Sequence, residues 1–356
     1  MLLLAPLLLA SGNDFASRLW RDLPAEKGNV VISPASIETC LGLLIPATGM
    51  SSKPALAQAL GTTADGLEEF QTGLQKRMRS LKSSSEVTLA NAGFFADAPR
   101  PTYVAAIADG YGATAERFGP DATGQVNGWV NRNTKGRIPK LFDQLDARTH
   151  TVLVNAVTFD GDWALPFSPK GTEKAPFSSA SGTRSVDLMH LTSGLNYGAG
   201  SGFRVVQLPY KGNHYRMSIL LPDAGDPAAL FQTNAWRTVV PALRSVDLHL
   251  PKFAVQSKPD VETSLKKMGL EPLFKRIDLR PALSNGGMDN IDQIVHRTYV
   301  KVDEAGTEAA ASTGIVLFRG GKPASPLDFR VDRPFAFAIQ RVETGEVLFE
   351  GVIREP

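Results

Sequence analysis

Cysteine is almost missing: Cys40 is the single one among 356 residues, so no internal disulfide can staple the chain. A charge excess of one sign is missing too. Lys and Arg total 38 against 36 Asp and Glu, a formal charge of +2, which lacks the cationic surplus that phosphate neutralisation on a nucleic acid requires. No apolar run reaches the roughly 20 residues that cross a bilayer, and no Asn-x-Ser/Thr acceptor occurs. Equally absent are G-x-S-x-G, H-E-x-x-H, paired C-x-x-C and the phosphate loop G-x-x-x-x-G-K-S/T, so no motif supports an enzyme. The glycines of GAGSGF do not fit G-x-G-x-x-G and read as a flexible turn, and His150, His190, His214, His249 and His296 show no ligand spacing along the chain.

What is present is an ordinary globular composition, 43% hydrophobic and 21% charged. The opening MLLLAPLLLA followed by SGNDF reads in two ways over residues 1–12: as a signal-peptide remnant, pointing to a secreted or periplasmic protein, or as the first turns of a helix, consistent with a cytoplasmic one. No repeat and no Pro-, Gly- or Ser-rich linker divides the rest, which reads as one domain over 13–356. The N-terminal third has helical spacing. Phe15, Leu19 and Leu23 share a face; Ser33 caps a helix with Pro34 at its first position; Leu67, Phe70, Leu74 and Leu81 mark another; Val126, Trp129 and Val130 mark a third that stops near Gly136. Cys40 reads as a buried helical thiol.

Alternating or β-branched runs then dominate: EVTLANAGFFAD, TVLVNAVTFDGDW, FRVVQLPYKG, YRMSILLP, RSVDLHLPKF, RPFAFAIQRV and EVLFEGVI. Helices gathered early and strands gathered late make the fold class α+β, with antiparallel or mixed sheets. The segment VDEAGTEAAASTGIVLFRGGKPASPLDFRVDRP, residues 302–334, carries an unusual run of small residues. Helix propensity alone would make its alanines a surface helix. Extended, Thr307, Ala309, Ala311, Thr313, Ile315 and Leu317 share one small or apolar face, while Glu308, Ala310 and Ser312 share the other. Such a segment can lie in solvent or enter a sheet.

This hinge resembles that of inhibitory serpins, and the resemblance extends over nearly the whole chain. NVVISPASI, ANAGFF, YGATAERF, VNGWVNRNTKGRI, VLVNAVTFDGDWALPF, LPYKG, DQIVHRTYVKVDEAGTEAAAST, DRPFAFAI and EVLFEGVI all resemble family landmarks, in order. The resemblance implies three β-sheets, about eight or nine helices and an exposed reactive-centre loop at about 305–328. It also implies a monomer, neither enzyme nor membrane protein, whose partner is a serine protease. The protease cuts the loop and becomes acyl-linked, and the loop then inserts into the central sheet. The hinge would comprise Glu304, Gly306, Thr307, Glu308, Ala309, Ala310, Ala311, Ser312 and Thr313. Counting from Gly306 by the usual hinge places the cut between Gly320 and Gly321, and a hinge one residue shorter places it between Arg319 and Gly320. Arg319 suits a trypsin-like pocket; Gly320 suits an elastase- or subtilisin-like one. Ser33, Ser36, Asn155 and His296 match a polar cluster governing sheet opening, with Trp163 where the loop enters. Lys76, Arg77, Arg79 and Lys82 lie where some members hold a polyanion such as heparin. The chain departs from the pattern at Asp160 and Asp162 around Gly161, and at Thr298. A non-inhibitory carrier or folding assistant is the competing reading.

Overall fold

The computed structural model describes residues 14–285, 287–307 and 325–356. The opening segment 1–12, hinge residues Glu308–Thr313 and both candidate cleavage points (Arg319, Gly320, Gly321) fall outside the described residues. The chain gathers into two compact units and passes between them five times. One holds residues up to Pro24, Ser33–Thr158 and Lys258–Tyr299; the other holds Ala25–Ile32, Phe159–Ser257 and Val300–Pro356.

Eight α-helices have full bounds among the described residues, and a further helical stretch covers 14–22. Helix α1 (Pro34–Gly42) begins as its sequence requires, the Ser33 hydroxyl accepting the Ser36 N–H at 3.3 Å, with Pro34 in the first turn. Helix α2 (Leu67–Lys82) buries Leu67, Phe70, Leu74, Met78 and Leu81, and puts Glu68 and Glu69 in its first turn and Arg79 and Lys82 in its last, the arrangement its dipole favours. Helix α3 (Ala122–Asn133) is capped by Asp121, which accepts from Gly124 at 2.8 Å. It ends three residues before the expected stop because Lys135 and Gly136 adopt left-handed backbone, φ 53° and 82°. Cys40 is buried in α1, where burial pushes its thiol up to about 12.

In chain order the principal strands are β1 (Val87–Phe95), β2 (Thr114–Arg117), β3 (Thr151–Phe159), β4 (Gly182–Gly200), β5 (Phe203–Pro209), β6 (Tyr215–Pro222), β7 (Ala242–Pro251), β8 (Gln293–Val302), β9 (Leu327–Arg330), β10 (Phe335–Arg341) and β11 (Val347–Ile353). In the first unit the sheet order is β8-β3-β1-β2. Val126, Trp129 and Val130 of α3 pack into a core with Ala92, Phe94, Val152 and Val154. Phe94 meets Trp129 edge-on with ring centroids 5.9 Å apart. Every residue of β3 is buried, so TVLVNAVTF is a near-continuous apolar run whose one amide, Asn155, must find partners inside.

In the second unit a nine-stranded ladder runs Val30–Ile32, β11, β10, β6, β5, β4, β7, β9, with Glu173–Ser179 also paired to β4. The 19-residue β4 pairs with β7 along most of its length and with β5 at its end. Continuous hydrogen bonding through β4 thus joins two of the three expected sheets. Strand β9, which follows the loop, lies parallel to β7 with Val246 opposite Leu327 and His249 opposite Arg330.

Candidate functional site

Strands β8 and β3 pair directly and in parallel, Gln293 against Val152 through Tyr299 against Thr158. A segment entering between them must first part this ladder. The chain leaves β8 at Val302, so a loop that turned back would run antiparallel to β8, and therefore antiparallel to β3 as well. One parallel pairing would become two antiparallel ones, the slightly stronger kind per residue.

Beneath that seam lies the polar cluster expected from the sequence. His296 and Asn155 are opposite each other in the β8–β3 register. The Ser33 backbone N–H donates to His296 Nε2 at 3.0 Å, which leaves the ring proton on Nδ1 to donate to Asn155 Oδ1. Asn155 Nδ2 donates in turn to the Ser36 carbonyl (3.1 Å), the Ser36 hydroxyl and Asn91 Oδ1. All five side chains are buried. Parting β8 from β3 would break the His296–Asn155 bond across the seam.

Burial pushes the His296 imidazole down to about 3, so the ring is neutral in the folded protein. The unfolded ring, at roughly 6.5, binds the proton that the folded one refuses. Stability is therefore complete above about pH 6.5 and falls as the pH drops from there toward about 3, by at most ~1.4 kcal/mol per pH unit from this group. Thermal unfolding followed between pH 7 and 4 shows this decline, and His296→Gln, which cannot titrate, has a shallower slope. An identical slope in both proteins would assign the acid sensitivity elsewhere.

The second unit holds the start of the hinge. The Trp163 indole N–H donates to the Asp303 carbonyl at 3.0 Å and stacks on Tyr210, centroids 4.5 Å apart. Lys252 Nζ pairs with Glu304 Oε2 at 2.8 Å, and the Thr172 hydroxyl donates to Glu304 Oε1 at 2.7 Å. Burial pushes the Glu304 carboxyl up, but the bonds from Lys252 and Thr172 outweigh it and hold the group below its usual value. Gly306 and Thr307 pair antiparallel with Asp162 and Gly161. A Cβ on Gly306 would come within 2.2 Å of the Gly161 carbonyl oxygen, so only glycine fits there. Thr307 is fully buried, its hydroxyl 2.7 Å from the Tyr210 hydroxyl. Thr307 is therefore already seated in the fold.

The structure separates the four cations of α2. Arg77 pairs with the buried Glu38 carboxylate, and Lys82 donates to the Gly112 carbonyl at 3.0 Å. Lys76 and Arg79 stand exposed. Thr298, one of the sequence departures, is buried in β8.

Residues 10–356 match the family model described as serpin (serine protease inhibitor). The chain belongs to the serpin family. Among its relatives are Iripin-2 of Ixodes ricinus, 31% identical over 98% of this chain and 93% of that protein, and the leukocyte elastase inhibitor of Sus scrofa, 31% identical over 98% and 99%. The crystal structure of the thermophilic serpin tengpin in its native state superposes with a TM-score of 0.87 at 25% identity, covering 98% of this chain and 94% of that one. This serpin is an inhibitor and not an enzyme: its reactive loop is cut by a protease, and the loop inserts into the sheet as the trap closes. Strands β8 and β3 lie side by side as the pair a loop strand would have to part.

Asn91, Thr172, Tyr210, Lys252 and Asp303 take part in these two clusters and were not singled out from the sequence. Asn91 and Tyr210 stand inside ANAGFF and LPYKG, so a buried polar side chain within each strand-like run was the available signal. Thr172 and Lys252 carry no local signal, because their role exists only where Glu304 meets them.

Proposed function

We propose that this serpin inhibits a trypsin-like serine protease, as a monomer, with Arg319–Gly320 as the bond attacked. The observation that carries the reading is Arg319 itself, thirteen residues beyond Gly306 at the length of a hinge one residue short. A trypsin-like pocket recognises a cation through a buried carboxylate, so the guanidinium would supply the main specificity contact. The small-residue run from Thr307 to Thr313 supports the inhibitory reading over the carrier reading, since every side chain that must enter the sheet is short or apolar except Glu308, whose alternation in an extended strand puts it on the face opposite Thr307.

Incubation with trypsin, chymotrypsin and pancreatic elastase, separated on a denaturing gel, is expected to give a heat- and SDS-resistant complex with trypsin. Mass spectrometry of the released C-terminal peptide then gives a fragment beginning at Gly320. A fragment beginning at Gly321, with a complex formed by elastase instead, would overturn the choice. Arg319→Ala lowers the rate of trypsin inhibition by about 10² or more, the usual scale for removing one partner of a desolvated charge pair.

A further inference from the structure

The five histidines have no ligand spacing along the chain, yet strand pairing assembles two of them around a carboxylate. His190 on β4 is directly opposite His249 on β7, and Asp247, two residues before His249, shares its face. His190 Nε2 lies 2.6 Å from Asp247 Oδ1, and His249 Nε2 lies 3.5 Å from Asp247 Oδ2. The two imidazoles are stacked, 4.6 Å apart and within 12° of parallel, so both present an edge to the same carboxylate. The three ligand atoms lie within 4.8 Å of one another. The Thr192 hydroxyl donates to Asp247 Oδ1 at 2.6 Å and lies 3.3 Å from His190 Nε2, beside the same carboxylate oxygen. The cluster opens to solvent on the His190 side, where that side chain is 41% exposed against 15% for His249.

We propose that His190, Asp247 and His249 form a binding site for a divalent transition-metal cation of the zinc class. Two imidazole nitrogens and one carboxylate oxygen are the donor set of open zinc sites, in which water completes the tetrahedron. Drawing the three atoms onto one ion at bonds of about 2.0–2.2 Å needs only side-chain rotation, since the strands already fix their backbones. Thr192 supplies the outer hydrogen bond that such ligands usually carry. Arg330 of β9 reaches His249 Nδ1 at 3.5 Å. Its guanidinium stands at the edge of the cluster, and a bound ion would displace it. The site thereby acts on β9, the strand that secures the reactive loop at its C-terminal end.

The test is calorimetric titration of the full-length, tag-free protein with ZnCl2 in a non-coordinating buffer. One ion per chain is expected, with affinity lowered at least about tenfold in His190→Ala and in His249→Ala. His150→Ala and His214→Ala, which remove the other histidines outside the core, leave it unchanged. Arg330→Gln, which retains both imidazoles and deletes the competing charge, binds Zn2+ about three- to tenfold more tightly, and this readout does not depend on the alanine variants folding. Absence of saturation up to about 1 mM ZnCl2 would overturn the site, as would full affinity in the His190→Ala/His249→Ala double variant or weaker binding by Arg330→Gln.

Discussion

A single cut within residues 308–324 raises the midpoint of thermal unfolding by on the order of 20 °C. The estimate follows from the ladder. Two antiparallel pairings replace the one parallel pairing between β8 and β3, a net gain on the order of ten backbone hydrogen bonds at roughly 1 kcal/mol each. Each kcal/mol moves the midpoint of a large domain by about 2 °C. Burial of Ile315, Leu317 and the alanines adds to this at about 25 cal/mol per Å². The intact molecule cannot collect that energy because its loop is fixed at both ends. Thr307 is seated against Tyr210, and β9 is in register with β7. Calorimetry before and after nicking with a non-serine protease measures the difference. An unchanged midpoint would mean that the loop does not insert, and the carrier reading would replace the inhibitory one.

The helical third was legible because its information is local. The spacing of Leu67, Phe70, Leu74 and Leu81 marks one face of α2, and Ser33–Pro34 marks the first turn of α1, without reference to any distant residue. The strands were legible for the same reason, by alternation and turn residues. Their partnerships were not. Asn155 and His296 are 141 residues apart, and only the β8–β3 register makes them neighbours; the family resemblance, not the residue pattern, pointed to them. Arg77 shows the converse error. Charge counting grouped it with Lys76, Arg79 and Lys82, yet the buried Glu38 beside α2 draws it inward, and no local pattern records which carboxylate lies beneath a helix. The His190–Asp247–His249 cluster escaped a spacing search because half of it arrives from a neighbouring strand. Its visible half, Asp247-x-His249, is merely two side chains on one strand face.

Thr307→Arg converts the inhibitor into a substrate, cutting the yield of SDS-resistant protease complex at least tenfold while the loop is still cleaved. Trapping is a race between loop insertion and hydrolysis of the acyl linkage, and Thr307 stands at the start of the inserting strand. Its side chain has no solvent contact, its hydroxyl is satisfied by Tyr210, and its neighbour Gly306 is held too close to Gly161 for the backbone to shift. A guanidinium there would be buried beside the Tyr210 hydroxyl, at a cost of several kcal/mol. Arginine at this position therefore unseats the hinge and slows insertion, and a few kcal/mol on that barrier is a factor of ten or more in rate. Thr307→Ser keeps the hydroxyl and a short side chain, and so retains most of the complex. Far-ultraviolet circular dichroism on all three proteins separates a stalled hinge from a misfolded molecule. A well-folded Thr307→Arg protein that traps its protease in full yield would show that insertion does not begin at this residue.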